Sequence, residues 1–303
     1  MATDTGKRCI GFIGAGTLGS GLSLALHRKG YVVQAVSSRS RGSSEALAGS
    51  IAGCSAVESP QEVVDACDMV FITTPDSAIS SVAASVRWRA GQEVTHCCGA
   101  SGRELLESAA DQGAETGAFH PFQTFAGIAG PDQAVDRLTG VTFAVSAGAN
   151  LEDFLTALAK NLGGRAVTVE DGSRPLYHAA AILSCGYLVT LLQTALRTLE
   201  ESGFTREEAQ EAVLSISRST LDNVETLGPA ASVTGPLVRG DVITVGKHLE
   251  ALQRSSPPVA ALYGGLTELS LPIARQRGLG AEEESVIRDA VAKAGFHYPL
   301  GKR

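Results

Sequence analysis

The sequence of 303 residues has little of what nucleic-acid-binding, secreted or metal-binding proteins depend on. Its 25 Lys and Arg face 32 Asp and Glu, and the net charge of −7 provides no general basic surface for nucleic acid. None of the six cysteines is paired as C-x-x-C, so we expect no metal site. We interpret the thiols as buried side chains of a reducing, cytoplasmic compartment. The first apolar run is short and broken by glycines, unlike a signal peptide.

Long hydrophobic runs are also scarce, with one exception. Residues 179–196 contain no charged side chain over 18 positions, which is the lower limit for a helix that spans a bilayer. Polar residues such as Ser184 and Gln193 interrupt this stretch. We therefore predict a helix buried inside a domain or a subunit interface, and no membrane partner.

What the sequence does contain is a glycine-rich turn near its beginning. The apolar run 9–13 leads into Gly14, Gly16 and Gly19, spaced G-x-G-x-x-G, and a helical pattern follows up to Gly30. A strand, a glycine turn and a helix form a dinucleotide-binding unit, with the phosphates at the helix amino terminus. The expected contacts in this turn are Gly14, Gly16, Thr17, Leu18 and Gly19.

Strand and helix patterns alternate over the first half of the chain. Apolar strand patterns occur at 31–36, 68–73, 93–98, 117–119, 141–145 and 166–169, with helical patterns between most of them. This alternation predicts an α/β fold, a doubly wound parallel sheet of the Rossmann type. Ligands of such sheets bind beyond the carboxyl ends of the strands. The rule brings four loops into one crevice, namely 14–19, 73–77, 99–102 and 120–124.

Strand patterns disappear after about residue 171. Helical periods follow at 174–202, 205–227, 242–253, 258–277 and 281–294. We predict a Rossmann domain over residues 1–165 and an all-α domain over residues 166–303, used for substrate binding and dimerisation.

The end of the second strand indicates which dinucleotide binds. NAD-binding proteins have an acidic residue there for the ribose, whereas this chain has Ser37, Ser38 and Arg39, followed by Arg41. Hydroxyl and guanidinium donors suit the 2′-phosphate of NADP. The alternative is a polar loop that is basic by chance. Further cofactor contacts are expected from neighbouring loops, at Thr74, Pro75, Gly99 and Ala100.

His120 is the strongest candidate for acid–base catalysis. Histidine titrates near neutrality and can supply a proton as hydride reaches a carbonyl or imine. The alternative is a histidine that only bonds the loop backbone. Gln123 and Thr124 could orient a substrate or cap their own loop. Ser101 could bind substrate or act as an ordinary helix N-cap.

The helical half offers further candidates. Tyr177 and Ser184 are seven residues apart on one helical face and could reach the nicotinamide, with His178 beside them. Arg174 and Arg239 are candidates for holding an acidic substrate. For Arg239 the alternative is a plain turn that precedes Asp241 as the N-cap of the next helix.

These features together resemble a known family. It comprises Rossmann-like oxidoreductases with a helical C-terminal domain of unknown function, allied to pyrroline-5-carboxylate reductase, prephenate dehydrogenase and 6-phosphogluconate dehydrogenase, with some members linked to ketopantoate reduction. The resemblance covers nearly the whole chain. It rests on segments 14–19, 99–101, 120–125, 176–181 and 235–241.

The resemblance implies an NADP-type cofactor and a homodimer joined through the helical half. Two departures concern the chemistry. Arg174 stands where the wider group leads us to expect lysine, and Arg cannot donate a proton at neutral pH. Gly186 stands where we expect asparagine. These changes argue against ketopantoate reduction more than against reduction in general.

The sequence therefore predicts an NADPH-dependent reductase of a small, anionic C=O or C=N substrate. Two alternatives stay open at this point. One is an NADP-linked dehydrogenase that runs in the oxidative direction, and the other is a non-catalytic NADP-binding sensor or scaffold.

Overall fold

A computed structural model describes residues 8–295 of the chain, and in this part eight strands form one sheet. The strand order is β3-β2-β1-β4-β5-β6-β7-β8. The strands are β1 Cys9–Ile13, β2 Val32–Ser37, β3 Ser55–Ala56, β4 Met69–Ile72, β5 Glu93–His96, β6 Glu115–Pro121, β7 Thr142–Ala147 and β8 Arg165–Thr168.

Helices cover both faces of this sheet. They are α1 Thr17–Arg28, α2 Arg41–Gly49, α3 Pro60–Ala66, α4 Asp76–Ala84, α5 Glu107–Ala110, α6 Pro131–Leu138 and α7 Ala149–Asn161. Alternate residues of each strand enter two separate cores: Phe71 joins the core beneath α1 and α7, whereas Ile72 joins the core beneath α3 and α4. All four residues of β4 are buried, as expected of a strand covered on both faces. The predicted doubly wound fold is confirmed.

The sheet is not wholly parallel, which corrects one detail of the prediction. β6 and β7 pair antiparallel, with Pro121 opposite Phe143. The segment between them includes α6, which packs on α1 so closely that a Cβ on Gly21 would lie 2.5 Å from the Ala134 side chain. The segment between β6 and β7 stays at the carboxyl edge of the sheet, so β7 begins at that edge and runs antiparallel to β6. The sequence analysis predicts neither α6 nor α2.

Four phenylalanines form a row through one of the two cores. Phe12 stacks on Phe71 at 5.2 Å between ring centroids, Phe71 meets Phe119 edge-on at 6.2 Å, and Phe119 stacks on Phe143 at 4.5 Å. All four are fully buried. The row joins β1, β4 and β6 to the antiparallel β7 and so fixes the strands that lead to the candidate site.

The remaining helices agree closely with the sequence prediction. They are α8 Arg174–Ser184, α9 Gly186–Glu201, α10 Arg206–Leu227, α11 Pro229–Ser232, α12 Val242–Ser255, α13 Pro257–Gln276 and α14 Ala281–Lys293. The chain divides into two compact units after Tyr187, and the second has its own core around Leu249 and Leu271. β8 pairs with β7, so the sheet extends just beyond residue 165, where the sequence analysis places the domain boundary.

The uncharged stretch 179–196 is helical but is not buried within the chain. Asp171–Glu201 is long and apolar enough to cross a membrane, with a mean hydropathy of 1.7 in a window of which 0% is buried. In α8 only Arg174 is buried, and in α9 no residue is. Burial inside a domain, one of the two predicted alternatives, is therefore wrong for this helix. The subunit interface stays a prediction.

Burial, rather than disulfide pairing, makes the cysteine thiols other than that of Cys185 unreactive. All six are free, and Cys67, Cys97 and Cys98 are buried whereas Cys185 is exposed. Burial raises the pKa of Cys97 to about 12 and that of Cys54 to about 11. These thiols stay protonated at neutral pH, so they are poor nucleophiles and poor metal ligands.

Candidate active site

The glycine turn after β1 leaves no room for side chains where it packs and leaves space where a ligand would approach. Gly14 has a φ of +113°, and a Cβ there would lie 2.7 Å from the Thr73 backbone. A Cβ on Gly19 would lie 2.3 Å from the Gly14 carbonyl oxygen. Nothing lies within 4 Å of a Cβ built on Gly16. The open backbone at Gly16, at the start of α1, is suited to a phosphate.

Two buried hydroxyls near this turn have no hydrogen-bond partner. They belong to Ser37, at the end of β2, and Thr74, just after β4. A buried polar group without a partner costs about 1–3 kcal/mol. Because both lie at the strand ends where a dinucleotide would bind, a bound ribose or phosphate would satisfy them. The residues present therefore fit a dinucleotide.

The two arginines after β2 differ in their surroundings. Arg41 forms ion pairs with Glu45 at 2.8 Å and Glu58 at 3.1 Å. Arg39 is exposed and forms no ion pair within residues 8–295. Of these two guanidiniums, only that of Arg39 is unpaired within residues 8–295 and can bind an anion without first breaking an ion pair.

A small cavity adjoins the glycine turn. Its volume is about 170 Å³, and it lies between residues 15–20 and the segment 128–131 that leads into α6. Thr17 is exposed and Leu18 is half-buried at its edge, while Pro75 is exposed in the next loop.

His96 supports the loop after β5 and was missed by the sequence analysis. Its ring is fully buried, its Nδ1 accepts a hydrogen bond from the Cys98 backbone N–H, and its Nε2 lies 2.8 Å from the Gly102 carbonyl oxygen. Burial lowers its pKa, so it is neutral at pH 7. The two bonds hold the loop that contains Gly99, Ala100 and Ser101. A histidine inside an apolar strand gives no signal of this role in the sequence.

His120 and Tyr177 are brought together at the carboxyl edge of the sheet. His120 lies within β6 rather than after it, and its Nδ1 is 2.7 Å from the Tyr177 hydroxyl. The two rings meet edge-on at 5.6 Å between centroids. Phe122 lies 5.5 Å from the tyrosine ring and shields one side of the pair.

His178 completes this cluster against Gly99. The rings of His120 and His178 lie 6.2 Å apart. A Cβ on Gly99 would lie 2.7 Å from His178 Cδ2 and 2.8 Å from His120 Nε2, so only glycine allows both rings to approach this backbone. The predicted loops 99–102 and 120–124 therefore meet the first turns of α8.

The electrostatics of the pair favour neutral groups. Burial, together with the neighbouring His178 and Arg174, lowers the pKa of His120 to about 4. Burial raises the pKa of Tyr177 to about 12. At neutral pH the hydrogen bond joins a neutral imidazole to a neutral phenol, and the tautomer of the imidazole decides which of the two groups donates it.

Several predicted site residues have other contacts. Arg174 is fully buried, and its guanidinium bonds backbone carbonyls, so direct contact with a substrate is inconsistent with its placement. Ser184 is exposed and donates to the Ala180 carbonyl, the usual bond of a serine within a helix. The role of Ser184 at the nicotinamide stays a prediction.

The loop after β6 mostly caps itself. Gln123 accepts a hydrogen bond from the Thr124 backbone N–H, and the Thr124 hydroxyl lies 3.5 Å from the backbone N of Ala126. Ser101 is not the N-cap of the short 3-10 helix Arg103–Leu106 that follows, because Gly102 occupies that position, without a side-chain cap bond. In the second unit, Arg239 is exposed and Asp241 caps α12 through the Thr244 N–H.

Two family models match the chain. Residues 3–121 match a Rossmann-like domain, and residues 141–269 match the "Domain of unknown function (DUF2520)". This combination is the one implied by the resemblance drawn from the sequence, which is thereby confirmed. No curated protein matches the chain.

Solved structures share the fold over most of the chain. A Bacteroides fragilis protein with the provisional description NADP oxidoreductase is 25% identical, with a TM-score of 0.67 over 88% of this chain and 98% of that one. An imine reductase from Pseudomonas sp. is 20% identical, with a TM-score of 0.60 over 95% and 99%. A reductive aminase from Aspergillus terreus, in complex with NADPH and ethyl-5-oxohexanoate, is 16% identical, with a TM-score of 0.59 over 95% and 94%.

The low pKa of His120 can be measured directly. Its ring C–H signals in NMR should titrate with a midpoint near 4, with assignment by His120→Gln. Because this pKa lies below the usual value of about 6.5, the folded protein should lose stability as the pH falls from about 6.5 towards 4. His120→Gln should lose less over that window. A midpoint at or above about 6.5 would contradict this description of the site.

Proposed function

Because the chain is a Rossmann-like protein with a C-terminal DUF2520 domain, we propose that it is an NADPH-dependent reductase of small C=O or C=N substrates. The observation that supports this most is the His120–Tyr177 pair at the edge of the sheet where the glycine turn also lies. The Bacteroides fragilis, Pseudomonas and Aspergillus terreus relatives support an oxidoreductase of this kind.

The cofactor would be held by the turn at Gly14, Gly16 and Gly19, with the 2′-phosphate at Arg39. The unpartnered hydroxyls of Ser37 and Thr74 would be satisfied by the dinucleotide, and Ser38 adds a third hydroxyl beside them. No carboxylate follows β2 directly to repel the phosphate. When bound, the nicotinamide supplies the hydride.

The chain itself supplies the proton. Tyr177 is a neutral donor whose hydroxyl bonds His120, so a proton lost from one member of the pair is replaced through the other. His120 acts as a neutral proton relay rather than as an imidazolium acid, because its low pKa keeps the imidazole neutral at pH 7. We therefore assign proton delivery to the pair, with His178 and Gly99 fixing the position of the imidazole.

The sequence predicts two arginines, Arg174 and Arg239, as candidates for binding an acidic substrate group. Arg174 is unsuited to bind an acid, since its guanidinium is buried among carbonyls. Arg239 is the predicted arginine that stays exposed, and we propose it for an anionic substrate group. The imine reductase and the reductive aminase among the relatives favour C=N substrates in the first assays.

The functional form is proposed to be a homodimer joined through the helical half, in the cytoplasm. Apolar side chains are exposed along α9, α10 and α13, including Val189, Ile216 and Leu269, each more than 60% exposed. A groove of about 420 Å³ between α9, α12 and α13 is lined by twelve residues, of which five are leucines. Apolar surface of this extent marks an interface, and a second copy of the chain offers the matching apolar helices.

Cofactor preference tests the nucleotide site. Titration calorimetry should show tighter binding of NADPH than NADH, and Arg39→Ala should weaken NADPH binding by about ten- to a hundredfold, the worth of one charge-assisted hydrogen bond. NADH binding should barely change. Arg41→Ala is the matched control, because Arg41 is already paired with Glu45 and Glu58. Equal or tighter binding of NADH by the wild type would refute the assignment.

Turnover tests the proton pair. NADPH oxidation is followed with a panel of keto acids, ketone–amine mixtures and cyclic imines. His120→Ala and Tyr177→Phe should each lower kcat by about two to four orders of magnitude, without weakening NADPH binding. Ser184→Ala should keep wild-type turnover, since that hydroxyl only bonds Ala180. Unchanged kcat in both His120→Ala and Tyr177→Phe would remove the pair from the reaction.

Sedimentation tests the dimer. The 31.2 kDa chain should sediment as a dimer at micromolar concentration. Val189→Glu and Ile216→Glu should shift it towards monomer, because each places a charge on the proposed interface. Val32→Glu, a change at an exposed apolar residue of β2, should not. A monomeric wild type, or its recovery in membranes, would count against the dimer.

A further inference from the structure

Arg174 is a buried cation without a counter-ion. It is the first residue of α8, it is 0% exposed, and it forms no ion pair in the described part of the chain. Burying a charge costs several kcal/mol unless hydrogen bonds compensate for the lost water. The buried guanidinium of Arg174 lies near the His120–Tyr177 pair, so its hydrogen bonds must offset the cost of burying its charge.

The guanidinium joins two strands and the loop after a third to one helix. Its Nη1 donates to the Cys98 carbonyl after β5 at 3.2 Å, and its Nη2 donates to Ala118 of β6 and Ala144 of β7 at 3.4 Å each. Its Nε donates to the Ser146 hydroxyl at 3.2 Å. A planar fork of donors can reach several carbonyls at once, which the single ammonium of lysine cannot do.

A second set of contacts holds the same helix start. The Ser146 hydroxyl donates to Asp171 at 2.8 Å, and Asp171 also pairs with the Arg103 guanidinium at 2.8 Å. A Cβ on Gly102 would lie 2.3 Å from the Asp171 carboxylate, so the loop after β5 lies directly against this residue. Arg174 and Asp171 thus clamp the start of α8 from two sides.

The elements that Arg174 joins are the ones that bear the reacting pair. Tyr177 and His178 follow it by three and four residues and share its helical face. His120 follows Ala118 in β6, and Gly99 follows Cys98. The 2.7 Å bond between His120 and Tyr177 therefore spans elements whose separation Arg174 sets.

We propose that Arg174 is a positioning residue that holds Tyr177 and His178 against His120 and Gly99 by fixing the first turn of α8 to the loop after β5 and to the middle of β6 and β7. This inference rests on the proposed function for its effect on turnover, but not for its effect on the geometry of the pair. It assigns the guanidinium a role that neither proton donation nor substrate binding explains.

Variants of Arg174 test the role through turnover. Arg174→Lys and Arg174→Gln should lower kcat by about a hundredfold, the loss expected when reacting groups are displaced by about 1 Å, while KM changes far less. Lysine keeps the charge but not the fork. Full rescue by Arg174→Lys would show that charge alone matters and would overturn the proposal.

Arg89 provides a matched control. Its guanidinium also donates to backbone carbonyls, those of Val64 at 2.8 Å and Cys67 at 2.7 Å, but at the amino edge of the sheet. Arg89→Lys should lower thermal stability at most, and leave kcat and its pH profile unchanged. If Arg174→Lys behaves in the same way, Arg174 is merely structural and the proposal fails.

The titration of His120 gives a readout that needs no substrate. In Arg174→Lys, which keeps the positive charge, the NMR midpoint of His120 should still rise above about 4, because a displaced imidazole is less buried, whereas Arg89→Lys should leave it unchanged. If the wild type reduces nothing but this difference appears, the proposed function fails and the positioning role stands. A folded Arg174→Gln protein with the wild-type midpoint and wild-type kcat would overturn it.

A milder change covers the case in which the Arg174 variants do not fold. Ser146→Ala removes the hydroxyl that links Arg174 to Asp171 and keeps the guanidinium bonds to the carbonyls. It should lower kcat by less than the Arg174 variants do, and it should shift the NMR titration midpoint of His120. Wild-type values for both would contradict the proposal.

Discussion

The carboxyl edge of the sheet depends on backbones that touch where side chains would not fit. At Gly19 a Cβ would lie 2.3 Å from the Gly14 oxygen, so α1 can start directly against β1 and aim its free N–H groups at the crevice. At Gly99 a Cβ would collide with both His120 and His178. The same lack of space for a Cβ therefore applies at the glycine turn after β1 and at the His120–Tyr177 cluster, and it favours glycine at positions 19 and 99.

The charge distribution at this edge keeps the titratable groups neutral. His96 and His120 are both buried and both have lowered pKa values, and Arg174 contributes to each shift by repelling a second cation. The phenol of Tyr177 is pushed the other way by burial. A site of neutral donors suits a reaction in which hydride and proton arrive together, because no charge is released into an apolar surrounding.

The helical half follows different rules from the sheet. Its long helices have apolar faces that the chain does not cover, such as the one with Val189 and Leu269, although α12, α13 and α14 form a small core of their own. The resemblance and the two family models agree on the order of domains. In the described part of the chain the uncharged stretch 179–196 is exposed, although its composition predicts burial, so its exposure is decided by tertiary packing rather than by composition.

Local sequence pattern was sufficient to predict most of the strands and helices and the glycine turn expected to bind the cofactor. Apolar periodicity predicts seven of the eight strands in the described residues, all but β3, and most of the C-terminal helices, because each element buries its apolar residues at its own period. The turn at Gly14, Gly16 and Gly19 is a contiguous motif, so the sequence alone predicts a dinucleotide there. It also singles out His120 and Tyr177, although 57 residues separate them.

Only the tertiary structure decided which candidates meet. The reversal of β7 depends on α6 packing on α1, a contact between distant segments with no local pattern. Arg174, predicted to bind substrate, turns inward because β6, β7 and the loop after β5 present carbonyls to it, and His96 gains its role from a carbonyl six residues away in a loop. Local sequence determines which residues can form helices and strands, whereas the partners of a buried polar group are fixed only when distant backbones come together.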